Sequence, residues 1–330
     1  MKTDRDISDV PFETRLDDAH RQSLELIPAG LVDLSQIDET RKLTEQLMLA
    51  AASRQTEVKG VVIEDCTIRA AGDRPALLLR LYIPDGLKRP APVLLYIHGG
   101  GFVVGNVWHF DMQCKQLSFG SELIVASVEY RRAPEHPYPA PIEDSYAALG
   151  WLFEAAAERG FDVRRIGVGG TSAGAGLAAG VSLLARDRAK YRIAFQFLEA
   201  PMLDHRKPGP TSRTIEDSRV WNQAANEAAW AAYLGADHLN REIAVYASPS
   251  LETNLSRLPS TYICISAHDL FLDETFDYAQ RLLRAGVSVQ FHVYEMGFHG
   301  SPRLLPAAPV SARWRTDSIN ALKRLAETYS

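Results

Sequence analysis

Three groups of residues in this chain carry chemistry. The first is Gly170-Thr171-Ser172-Ala173-Gly174, a serine with a glycine two positions away on either side. Immediately before it, Arg165-Ile166-Gly167-Val168-Gly169 reads as a buried strand, and after it Ala175–Leu184 reads as a helix rich in Ala and Leu. A serine on so sharp a strand-to-helix turn is forced into a strained backbone. Side chains at the flanking glycine positions would collide with the strand and the helix. The turn also aims a helix N-terminus at the hydroxyl. This is the setting of a nucleophile, Ser172, whereas a glycine-rich turn with a merely capping serine has no need of both flanks.

The second group is His98-Gly99-Gly100-Gly101-Phe102, directly after the apolar run Val93-Leu94-Leu95-Tyr96-Ile97. Three consecutive glycines past a strand carry a high entropic cost. They make sense where backbone N–H groups must face a ligand with no side chain in the way. The N–H groups of Gly99 and Gly100, joined by that of Ala173, are the candidates for an oxyanion hole that binds the oxygen of a tetrahedral intermediate. A phosphate-binding loop is the rival reading, but neither the GxxxxGK[ST] lysine nor the GxGxxG spacing is present.

Acyl transfer by a serine further needs a base and an orienting carboxylate, expected after the serine in the order acid, then histidine. Of nine histidines, His205, His238, His268, His292 and His299 follow Ser172. His292 lies inside the last apolar run and His205 and His238 lie in an insertion. His299, in Glu295-Met296-Gly297-Phe298-His299-Gly300, reads as a loop residue after the last strand and is the candidate base. Asp269 follows the run Tyr262–Ala267 directly. Asp273 and Glu274 come a helical turn later and suit the first turn of a helix. His268 is adjacent to Asp269, and neighbours in sequence usually point apart.

The elements that must position these groups follow from periodicity. Eight apolar runs read as strands: Val61–Ile68, Ala76–Ile83, Val93–Ile97, Leu123–Val128, Ile166–Val168, Ile193–Leu198, Tyr262–Ser266 and Val287–Tyr294. Helix-period segments lie near 141–159, 172–188, 273–285 and 311–328. The alternation argues for an α/β fold with a mostly parallel sheet buried on both faces. Ala71-Gly72-Asp73-Arg74-Pro75 reads as a hairpin connection, so the sheet begins antiparallel. Residues 1–55 show two helical stretches and no strand. The segment 205–257, opened by Arg206-Lys207-Pro208-Gly209-Pro210, carries Val220, Trp221, Trp230 and Leu234 as a helical insertion. Both pieces are expected to cap the C-terminal edge of the sheet, where open α/β sheets place ligands.

Composition narrows the classes. Lys and Arg number 36 and Asp and Glu 41, a net charge of −5, and no basic run exceeds two residues, so a nucleic-acid partner is not expected. No run of 18 apolar residues occurs and the first residues are too acidic for a secretory leader, so no membrane association is expected. The three cysteines have no CxxC spacing, which speaks against disulfides and a metal site and for a cytoplasmic location.

Taken together, His98-Gly99-Gly100-Gly101-Phe102, the run Tyr130–Pro137, Gly170–Gly174, Asp269–Glu274 and His299-Gly300 closely resemble the hormone-sensitive-lipase family of esterases, bacterial family IV. The resemblance covers residues 60 to 300. It implies the α/β-hydrolase fold, with an eight-stranded mostly parallel sheet, helices on both faces and a helical cap. Residues 1–55 would form one part of that cap, and residues 56–330 the catalytic domain with the insertion at about 205–257. It implies Asp269 as the orienting acid. Thr171 resembles the branch with threonine before the nucleophile. Ala175, Arg132 and Ser301 depart from the family's usual glycine, leucine and phenylalanine.

The chemistry so implied is hydrolysis of small to medium carboxylic esters through an acyl-serine, with no metal or organic cofactor. Amides, lactones or carbamates are the alternative substrates, and a ligand-binding protein on this fold the alternative class. Phe102, Trp108 and Trp221 are candidate substrate-binding residues. The last strand, Val287–Tyr294, is expected at a sheet edge and as the seam of a homodimer.

Overall fold

A computed structural model describes residues 11–328 except 54–56, 73–74, 207–208 and 211–214. Residues 1–10 of the expected N-terminal arm, Asp73 and Arg74 of the expected hairpin, and Lys207 and Pro208 of the insertion's opening lie outside the described residues. In chain order the elements are α1 (Asp18–Leu24), α2 (Ile37–Ser53), β1 (Val61–Ile68), β2 (Leu77–Pro84), β3 (Ala91–Ile97), α3 (Asp111–Ser121), β4 (Ile124–Val128), α4 (Ala140–Glu154), α5 (Ala156–Arg159), β5 (Phe161–Thr171), α6 (Ala173–Arg188), β6 (Phe195–Glu199), α7 (Gln223–Leu234), β7 (Ser260–His268), α8 (Leu272–Arg284), β8 (Val289–Phe298), α9 (Ser301–Leu304) and α10 (Pro309–Glu327).

The eight strands form one sheet in the order β1-β2-β4-β3-β5-β6-β7-β8. β1 and β2 are antiparallel, as is β2 with β4, and every later pairing is parallel. All residues of β3 and β4 are buried, which requires cover on both faces and explains a sequence that is apolar except at Ser127. Two packed helix pairs supply it: α3 with α10, and α4 with α6. The expected eight-stranded, mostly parallel sheet is therefore present, with β8 at its edge.

The departures have physical reasons. β5 starts at Phe161, earlier than expected, because Asp162, Arg164 and Arg165 bond one another within it and hide the apolar pattern. β8 runs on to Phe298, so the stretch Glu295–Phe298, expected as loop, is strand. Helix α3 was not expected at all: Phe119 breaks its apolar stripe by lying exposed, while the helix buries Cys114, Leu117 and Ser118. The insertion holds one long helix, α7, capped by the Asn222 side chain, which accepts from the Ala225 N–H. The other described residues of the insertion form turns, loops and short 3₁₀ pieces.

Candidate active site

The end of β5 delivers Ser172. The residue has φ 58° and ψ −126°, a left-handed backbone that a non-glycine residue adopts only when its surroundings enforce it. Here the enforcement is visible. The Ser172 N–H donates to the Glu199 carbonyl at 2.8 Å, and the Ser172 carbonyl accepts from Gly176 and Met202. A β-carbon at Gly174 would stand 2.0 Å from the Ile97 carbonyl oxygen, so the helix can approach the strand this closely only with glycine there.

His299 is the first residue past β8, and Asp269 the first past β7. Asp269 Oδ2 lies 2.8 Å from His299 Nδ1, and His299 Nε2 lies 2.8 Å from Ser172 Oγ. Asp269 is 1% exposed, and its other oxygen accepts from the Phe271 N–H at 3.0 Å. With the Nδ1 proton donated to the carboxylate, Nε2 is left to accept from the serine hydroxyl. Phe271 stands edge-on to the imidazole at 5.0 Å between centroids, and Trp221 flanks it at 6.3 Å.

The other candidates are engaged elsewhere. Glu274 accepts from the Leu203 N–H at 2.7 Å, and its burial raises its pKa. Asp273 sits in the first turn of α8. His292 faces Tyr294 and Asp317, His205 bonds Ser248, and His238 Nδ1 donates to the Gly235 carbonyl.

The glycine run lies against this relay. Gly99 Cα is close enough to Ser172 that an added β-carbon would meet the serine's own Cβ at 3.1 Å. Among the described residues, the N–H groups of Gly99, Gly100 and Ala173 have no hydrogen-bond acceptor. His98 is fully buried, with its ring stacked on Tyr130 at 4.3 Å and its Nδ1 bonded to the Gly99 carbonyl. Burial holds its pKa down to about 3, so it is a neutral strut for the loop. Arg132, the departure from leucine, donates to the Gly105 carbonyl and pairs with Glu129. The Tyr130–Pro137 run is thus a scaffold, locked further by Arg131 in a bidentate pair with buried Asp144 at 2.8 Å and 2.8 Å.

A cavity of about 480 Å³ opens above Ser172. Met48 and Leu47 of α2, Val220 and Trp221 of the insertion, and Trp108 line it. Trp108 is half exposed, at the rim. Phe102 needs correction: its ring does not line the cavity. With φ 66° it turns away and stacks on Tyr233 at 4.1 Å and against Trp230 at 5.2 Å, fastening α7 to the glycine loop.

Residues 1–55 and the insertion were expected as a cap, but Met48 of α2, Glu199 and Arg303 were not singled out as lining residues from the sequence. Glu199 is a carboxyl closing a fully buried strand, Phe195–Glu199, a signal legible in retrospect. It accepts from Trp314, Ser318 and Gln113 at 2.8, 3.0 and 2.6 Å, and burial pushes its pKa up to about 7. Among the described residues no cluster of three or more His, Cys, Asp or Glu is arranged to hold a metal ion, and no helix is long and apolar enough to cross a membrane.

This geometry has recognisable relatives. Residues 94–303 match the model of the alpha/beta hydrolase fold family, which includes the glycine run, Ser172, Asp269 and His299. The chain belongs to the alpha/beta hydrolase fold family. Within that family it is 39% identical over 246 residues to the esterase LipI of Mycobacterium tuberculosis, spanning 74% of this chain and 77% of the relative. It is 36% identical over 249 residues to the carboxylesterase NlhH of the same species, again over 74% and 77%. Among solved hydrolase structures, a bacterial heroin esterase superposes with a TM-score of 0.90 at 37% identity, covering 95% of this chain and 98% of that one. These relatives bear out the resemblance to hormone-sensitive-lipase-like esterases.

Proposed function

We propose that this carboxylesterase cleaves small to medium acyl esters with Ser172 as nucleophile, His299 as general base and acid, and Asp269 as the orienting carboxylate. The observation that carries the reading is the unbroken relay from Asp269 through His299 to Ser172, two bonds of 2.8 Å ending on a strained turn. His299 Nε2 takes the hydroxyl proton as Ser172 Oγ attacks the ester carbonyl. The oxygen that gains charge is met by the N–H groups of Gly99, Gly100 and Ala173. The imidazolium then gives its proton to the leaving alcohol. Water, deprotonated by the same imidazole, attacks the acyl-serine and frees the acid. Asp269 holds the tautomer throughout.

A cavity of about 480 Å³ falls in the range of small-molecule sites and supports compact substrates over long-chain lipids. Helix α2 and the insertion supply its roof, which supports reading residues 1–55 and 205–257 as two halves of one cap. Thr171 before the nucleophile supports the threonine branch of the family. The three unpaired, buried cysteines support a reducing, cytoplasmic location.

The test is a panel of p-nitrophenyl esters of increasing chain length, with covalent labelling by a fluorophosphonate. Turnover that peaks at short acyl chains, together with labelling of wild type but not Ser172→Ala, is the expected result. An unlabelled wild-type protein without turnover would overturn the reading.

A further inference from the structure

The charged groups around the cavity are not balanced. Among the described residues, four carboxyl groups line it, and each is engaged. Glu45 is bonded to His109 at 2.5 Å, Asp111 to Arg80 at 3.1 Å, Asp269 to His299 at 2.8 Å, and Glu199 to its three donors. Of the four lining Lys and Arg residues, Arg219 is paired with Asp217 and Glu13. The other three, Lys115, Arg303 and Arg315, have no carboxylate partner among the described residues.

Arg303 is the one nearest the chemistry by its place in the fold. It sits on the short turn that follows His299, and its own N–H donates to the Gly300 carbonyl at 3.1 Å. Its guanidinium lies 4.2 Å over the ring of Phe110, and Phe110 in turn stacks on His98 of the glycine run at 5.9 Å. The aromatic face satisfies one flat side of the cation but none of its five N–H donors. No side-chain hydrogen bond to those donors exists among the described residues. Burial holds Arg303 down to about 10, which leaves it charged at neutral pH, and no carboxylate acts to raise it. Arg41 and Arg219, each beside a carboxylate, are raised instead. A cation fixed in place with its donors unused is a preformed partner for an anion, and the fork of a guanidinium matches a carboxylate.

Building on the carboxylesterase reading, we infer that Arg303 makes the cavity selective for esters that carry a free carboxylate, with Lys115 and Arg315 adding to the field that draws them in. The carboxylate belongs to the substrate's acyl or alcohol part and takes no part in bond breaking.

Two matched pairs of esters test this on the whole protein. Mono-4-nitrophenyl glutarate against its methyl ester places the charge on the acyl side. 4-Acetoxybenzoate against methyl 4-acetoxybenzoate places it on the alcohol side. In one of the pairs the charged ester is expected to have the higher kcat/KM, by roughly 10- to 100-fold for one charge-assisted bidentate contact. Arg303→Met should collapse that ratio, and Arg303→Lys should restore part of it. Should these variants not fold, the wild-type protein decides alone. Glutarate should inhibit competitively where glutaramide does not, and added salt should weaken that inhibition. Turnover of neutral esters with no preference for charge in either pair, or a preference that survives in folded Arg303→Met, overturns this inference and leaves the esterase reading intact. If neutral and charged esters are both left uncleaved, the esterase reading falls too.

Discussion

Arg41 on α2 grips Glu135 with two parallel hydrogen bonds, Nη1 to Oε1 at 2.6 Å and Nη2 to Oε2 at 2.8 Å, and also donates to the carbonyls of Val103 and Ala133. One side chain thus ties the N-terminal segment to the glycine loop and to the scaffold beneath it. Arg41→Ala should loosen α2 over the cavity and raise KM for short esters more than it lowers kcat. The sheet should keep its circular dichroism. Unchanged kinetics and chain-length preference in Arg41→Ala, or in a protein lacking residues 2–40, would mean that the arm is no part of the cavity.

Ser172→Ala and His299→Ala should each remove nearly all turnover, by roughly four orders of magnitude or more, because members of such a relay fail as a unit. Asp269→Asn should be severe but less complete, since the wrong imidazole tautomer is then favoured. Single-turnover assays on folded variants measure this directly. A near-normal Asp269→Asn beside an inactive Asp273→Asn would assign the acid to the wrong residue.

The glycine loop separates two effects that sequence reasoning runs together. A β-carbon at Gly100, φ +124°, would lie 2.0 Å from the Val104 carbonyl oxygen, so Gly100→Ala should deform the loop and lower Tm. At Gly99 the added carbon faces Ser172 Cβ at 3.1 Å and the Thr171 carbonyl at 2.9 Å. Gly99→Ala is therefore the cleaner probe of the oxyanion site. Alanine keeps its N–H, but the crowded β-carbon shifts it, so a loss of up to roughly 10²–10³ in kcat is expected, the scale of losing one donor. A folded Gly99→Ala protein with wild-type kcat would remove this loop from the mechanism.

Glu199 should leave a mark on stability against pH. Its pKa is pushed up from 4.5 to about 7, so the folded protein keeps a proton that the unfolded chain releases. Where the folded state binds more protons, stability falls as pH rises. Stability should therefore decline between about pH 4.5 and 7, by on the order of 3 kcal/mol, and level off above. Glu199→Gln should flatten that decline when urea midpoints are compared at pH 5 and 8. Parallel profiles for the two proteins would show Glu199 already ionised at pH 5.

Edge strand β8 presents Val293, 39% exposed, and Phe291 packed edge-on against half-exposed Phe276 at 4.9 Å. Unpaired apolar edges invite a second strand. A symmetric dimer joined along β8 should sediment at about twice 36.5 kDa and revert to monomer in Val293→Lys. A single 36.5 kDa species in the wild type at micromolar concentration would exclude it.

Most of the catalytic floor was legible because its constraints are local. A glycine-flanked serine, a glycine run after a strand, and polar residues immediately past apolar strands each bear the mark of one tight turn. The roof was legible only as two segments and Trp221, because tertiary packing decides which other residues line it, and Met48, Val220 and Arg303 each alone read as ordinary helix or loop. Phe102 misled for the same reason. The three glycines before it line the cavity, but its own positive φ turns its ring to the other side. Helix α3 was hidden by Phe119, which spends its apolar surface on solvent.

The floor and the roof of the cavity also differ in how they can change over generations. Ser172, Asp269 and His299 hang from the ends of three strands whose register is fixed by the whole sheet. Met48, Val220 and Trp221 come from two segments far apart in the chain and outside the sheet. Because neither segment belongs to the sheet, substitutions at Met48, Val220 or Trp221 should alter which esters fit while leaving the Asp269–His299–Ser172 distances in place.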